Sequence, residues 1–70
     1  MQLKIGKKYR HYKGQCYKVL CVGKHAETDE DLVVYEALYG DHQIWIRPIE
    51  IFMSDVVHEG KQHPRFREEE

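Results

Sequence analysis

Trp45 and Arg47, two residues apart in "HQIWIRP", share one face of any extended strand because strand side chains alternate. If Ile44 and Ile46 face a core, the indole and the guanidinium lie side by side on the outer face. A flat ring for stacking and a forked donor for phosphate or carboxylate then sit together. The combination recurs as Arg10 with Tyr12 in "YRHYKG", and as Arg65 beside Phe66. Stacking plus phosphate contact is the chemistry that holds nucleotides, RNA and single-stranded DNA. A competing reading is structural: Trp45 covers a second small core and Arg47 sits in an ion pair. In "YRHYKG" one of the two tyrosines should bury its ring, while Arg10 reaches the surface near Trp45 and Arg47 or pairs with an acid.

Acid–base chemistry has one candidate, His25 with Glu27 in "KHAET", the residues a small enzyme would use. With His11 they are also the best metal-ligand set. The five histidines are nevertheless scattered, without the short fixed spacings of zinc sites. Cys16 and Cys21 form no C-x-x-C motif. Five positions apart in one strand, they should fall on opposite faces and form no bridge. The five glycines are isolated, so no phosphate loop exists. These patterns assign no catalytic residue, metal or cofactor.

The charge is asymmetric. Residues 1–24 carry seven cations and no acid, while residues 25–70 carry four cations and twelve acids. A basic first third suits an anionic partner. It equally suits a basic strand lying beside an acidic one in an antiparallel sheet. The net charge of −1 argues against strong non-specific nucleic-acid binding. No apolar run approaches the ~20 residues of a membrane span, and the first residues lack a signal-peptide stretch. A cytoplasmic protein without membrane contact is expected.

The elements that must position these groups are short. Gly14, Gly40 and Gly60 mark tight turns, and "ETDED" a polar loop. "QCYKVLCVGKHA", "DLVVYEALYG" and "HQIWIRP" read as strands, the first apolar on both sides at its end, as deep in a small barrel. After Pro48 the apolar spacing changes. Ile49, Phe52, Met53 and Val56 fall at i, i+3, i+4 and i+7, which predicts a short helical or 3₁₀ turn within residues 49–55 with Phe52 packed inward. Two short strands follow. This order predicts a mainly all-β fold, a small antiparallel SH3-like barrel of about five strands. Residues 1–66 form the single domain and residues 67–70, "REEE", a charged tail.

The segments "GKKYRHYKGQCYKVL", "KHAET", "LVVYEALYG", "IWIRPIEIF" and "PRF" together resemble a family of small bacterial proteins known as domain of unknown function 1653. The resemblance implies a compact β-rich fold in a bacterial cytoplasm and no particular activity. From the residues, the expected function is a non-catalytic binding module for an anionic ligand, a nucleotide or single-stranded nucleic acid. The ligand-binding candidates are Arg10, Tyr12, His25, Glu27, Trp45, Arg47 and Arg65. The alternatives are a protein-interaction module gripping an acidic peptide, and a small enzyme using His25 and Glu27.

Overall fold

The computed structural model describes residues 3–69. Its elements are β1 (Lys8–His11), β2 (Cys16–Lys24), β3 (Asp31–Ala37), β4 (Ile44–Pro48), α1 (Ile49–Phe52), β5 (Asp55–His58), β6 (Lys61–Pro64) and β7 (Phe66–Glu69). Five strands form one antiparallel sheet in the order β4-β3-β2-β1-β7, and β5 with β6 forms a separate hairpin. The turns fall where glycine predicts them. Gly14, for example, has φ +103°, which an L side chain rarely adopts.

Two expectations are corrected. Among the described residues no closed barrel forms: β4 and β7 are the two free edges of the sheet. The helical turn and the β5–β6 hairpin take up the chain between them, and β7 returns to β1 without reaching β4. Residues 67–69 are not a tail. They belong to β7, which pairs with β1 over four residues. Their acids have partners there: Glu68 lies 3.4 Å from Lys4, and Glu69 lies 2.6 Å from Arg10 and 3.8 Å from Lys8. Glu70, Met1 and Gln2 lie outside the described residues.

One face of the sheet carries the core: Tyr9, Tyr17, Val19, Val33, Tyr35 and Ala37, closed over by Phe52 and Phe66. The change of period after Pro48 has its predicted effect. In α1 the stripe Ile49–Phe52–Met53 turns onto that face, and Phe52 is fully buried. Its ring stacks on Phe66 at 4.0 Å and meets the edges of Tyr35 at 5.2 Å and Tyr9 at 5.6 Å. Aromatic rings thus fill most of the space a larger domain would give to aliphatic side chains.

Strand β2 breaks its alternation. Val19 pairs with Tyr35 but Cys21 pairs with Val34, so Leu20 is an extra, bulged residue. The bulge reverses the parity. Cys21 and Val22, expected to be enclosed, are both exposed. Cys16 and Cys21 therefore point to the same outer face, not to opposite ones, since Cys16 aligns with Arg10 and Cys21 with Val34. Both are free thiols. At ~3.3 Å per residue they stand well beyond the ~7 Å that a disulfide spans. Mass spectrometry under non-reducing conditions should give the fully reduced mass; a loss of about 2 Da would contradict this strand geometry.

The charge asymmetry is largely absorbed inside the sheet. Lys4, Lys8 and Arg10 face the acids of β7, Lys24 lies 2.9 Å from Asp31, and Lys18 is aligned with Glu36. The basic first third is matched by acidic neighbours, which leaves other cations to explain.

Candidate ligand-binding face

The register of β4 decides where its chemistry points. Tyr35 lies opposite Trp45 and Val33 opposite Arg47. Directly opposed residues project to the same side of a sheet. Trp45 and Arg47 are therefore on the core side, and Ile44 and Ile46, expected to face inward, are 46% and 63% exposed on the other side. The reason is crowding: Phe52 and Phe66 already close the core beneath β2 and β3, so the edge strand extends past it. Arg47 lies across this closed core, its guanidinium 5.8 Å from the centre of the Phe66 ring.

His11 shares the face, since it aligns with Phe66. Its ring lies 4.9 Å from Phe66 and 6.4 Å from Tyr17. Burial lowers its pKa from the ordinary histidine value, and the positive charges of Arg47, Arg65 and Lys13 lower it further. Arg65 is anchored from β7's approach: its Nε donates to Ser54 Oγ at 3.2 Å, and its carbonyl accepts from the Tyr12 amide at 3.0 Å. No described carboxylate pairs with Arg47 or Arg65.

The aromatic bed continues to the β3–β4 hairpin. The Tyr17 and Tyr39 hydroxyls are 2.8 Å apart, and burial pushes the Tyr17 phenol well above its ordinary pKa, which keeps it a neutral hydrogen-bonding group. Beyond Tyr39 opens a shallow recess of about 340 Å³, lined by Ala37, Tyr39, Asp41, Gln43, Ile44 and Trp45. Recess, tyrosines, Phe66 and the cations form one connected surface.

The other sequence candidates lie elsewhere. Arg10 is on the opposite face. Its Nε donates to Glu69 at 2.6 Å and its Nη1 to the Gly14 carbonyl at 2.7 Å. The pair is mutual: hydrogen bonding to Glu69 raises the Arg10 pKa, and the same bond lowers that of Glu69. Tyr12 borders the site, its ring 4.4 Å from His11 and 5.3 Å from His58. His25 belongs to the β2–β3 loop. Its Nδ1 accepts the amides of Glu27 and Thr28 at 3.1 and 3.3 Å, so the imidazole braces a turn and Glu27 is exposed beside it. Among the described residues no cluster of three or more His, Cys, Asp or Glu is placed to hold a metal ion. No helix is long and apolar enough to cross a membrane.

Sequence reasoning missed His11, Tyr17 and Tyr39 as site residues. His11 was legible only as the core-side neighbour of Tyr9, two positions on.

The lowered His11 pKa has a testable sign. The folded state binds the proton more weakly than the unfolded chain, so His11 favours folding above its unfolded value of ~6.5. That contribution is lost as pH falls through the lower folded value. Imidazole resonances should titrate with His11 below that value, and thermal stability should fall as pH drops beneath it. An anion on the face should move the His11 midpoint upward.

The profile of a protein family of unknown function, DUF1653, matches residues 7–68. A solved structure of a protein belonging to DUF1653 from Bordetella bronchiseptica is similar at 35% identity and a TM-score of 0.84, over 94% of this chain and 86% of that one. No curated protein matches the chain.

Proposed function

The chain belongs to the DUF1653 family of proteins of unknown function, and from that premise we propose that it is a non-catalytic binding module whose core-side face takes a nucleotide or single-stranded nucleic acid. The observation that carries this reading is the pair of guanidinium groups, Arg47 and Arg65, held beside His11 over an aromatic bed with no described carboxylate to neutralise them. A structural arginine normally pairs with an acid, as Arg10 does with Glu69. Charged groups left together beside rings suit a ligand that brings both anion and π-face. In this reading a base stacks in the Tyr39–Trp45 recess and phosphate reaches Arg47, Arg65 and protonated His11. A cytoplasmic setting, where such ligands abound, accompanies it.

Trp45 is the only tryptophan, so its fluorescence reports on the recess directly. Titration with a short single-stranded oligonucleotide at low salt should quench it. Up to three cations meet phosphate, so log K should fall against log salt with a slope of about −2. No quenching at low salt would overturn the proposal. Quenching by an acidic peptide, with no response to oligonucleotide or nucleotide, would make the face a protein-interaction site.

A further inference from the structure

We infer that β4 is a self-association edge, through which two copies of this chain pair antiparallel to join their sheets. The two edges of the sheet are differently made. β7 carries Arg67, Glu68 and Glu69, the charges that keep an edge from pairing with other chains. β4 presents Ile44, Trp45 and Ile46 in succession, at 46%, 50% and 63% exposure, and its register shows no bulge.

The phase of its hydrogen bonding follows from one contact. The Ala37 amide donates to the Gln43 carbonyl at 2.9 Å, so Gln43 and Ala37 exchange bonds across the hairpin. Bonded pairs alternate along an antiparallel ladder. Gln43, Trp45 and Arg47 therefore turn their backbone groups toward β3, while Ile44, Ile46 and Pro48 turn theirs outward. Pro48 has no N–H to offer and occupies an outward position, where proline is tolerated. Ile44 and Ile46 each present an unpaired donor and acceptor.

A second copy satisfies all of them. With Trp45 opposite Trp45 of the second copy, Ile44 opposes Ile46 in both directions. Four hydrogen bonds then use every outward N–H and C=O of the two isoleucines. Centring the pairing on Ile46 instead would oppose Ile44 to Pro48 and leave a carbonyl unmet. The charges are complementary in the chosen register. Arg47 meets Gln43 and the turn that carries Asp41, not another cation, and the net charge of −1 per copy adds little repulsion. The isoleucines make apolar cross-strand pairs on the outer face. So short a pairing buries less than the ~1,200 Å² of a standard stable interface, so the dimer is weak and concentration-dependent. It also sets the two Trp45 rings side by side and makes the two core-side faces continuous.

Sedimentation equilibrium from about 10 µM to about 1 mM tests this, a range that brackets weak affinities. The wild-type mass should climb toward twice the monomer value. The Ile44 and Ile46 amides should gain hydrogen-exchange protection over the same range. Ile46→Lys, at an exposed position, should remain folded by circular dichroism and stay monomeric. Ile46→Pro, which removes the outward N–H, should do the same. Val57→Lys, on β5 and 76% exposed, should associate like wild type. A wild-type chain monomeric throughout, or Ile46→Lys dimerising as wild type does, overturns the inference.

Discussion

Phe52→Ala should leave a chain without fixed tertiary structure at room temperature. The ring is fully buried and touches Phe66, Tyr35 and Tyr9 at once. Truncating a buried phenylalanine costs roughly 3–5 kcal/mol, through lost transfer energy and the cavity left behind. A domain of this size has a margin of roughly the same 3–5 kcal/mol. The two nearly cancel, so the variant should lose amide dispersion and the cooperative denaturant transition. Val57→Ala, at a 76% exposed position, should be nearly silent. A cooperative melt for Phe52→Ala close to that of wild type would mean that α1 is not the lid of the core.

The double variant Arg47→Ala, Arg65→Ala should lose binding by at least about 100-fold while melting at the wild-type temperature. Hydrogen bonds to charged groups contribute about 1.5–3 kcal/mol each, so two lost contacts amount to two or more decades in affinity. Stability should hold because neither guanidinium is neutralised by a described acid. Their removal should also raise the His11 pKa, since both push it down. Arg10→Ala should behave in the opposite way. It strands Glu69 at the β1–β7 seam, so the melting temperature should fall while binding persists. Oligonucleotide titrations of Trp45 fluorescence beside thermal melts measure both quantities. Lost stability with intact binding in the double variant would make Arg47 and Arg65 structural.

Local chemistry was legible in the sequence, and face assignment much less so. Pro48 followed by apolar residues at helical spacing located α1 and buried Phe52, because both signals are local. The glycine turns were equally local. Leu20 was different: a bulge is set by the pairing of β2 with β3, and nothing in "KVLCV" announces it. One extra residue was enough to move Cys21 and Val22 to other faces than alternation assigns. The two isoleucines of β4 misled for a related reason. Apolarity alone sends Ile44 and Ile46 inward, but this strand is an edge extending past a core that Phe52 and Phe66 already fill. Trp45 and Arg47 were the correct pair to single out, yet their true companions come from other strands. Arg10 looked equivalent to Arg47 in composition, and only the return of β7 beside β1 gives it Glu69. The same return makes a strand of residues read as a loose tail, because a run of acids gains order when basic side chains await it. Which cations are neutralised is a property of the sheet order, and the sheet order is non-local.

The most direct measurement is chemical-shift mapping of the isotope-labelled protein against a short single-stranded oligonucleotide at low salt. The proposal predicts shifts concentrated at the Trp45 indole, the Tyr39 and His11 rings and the Arg47 and Arg65 side chains, with Arg10, His25 and Glu27 unmoved. Perturbations confined to the opposite face, or none at any of those five residues, would contradict it.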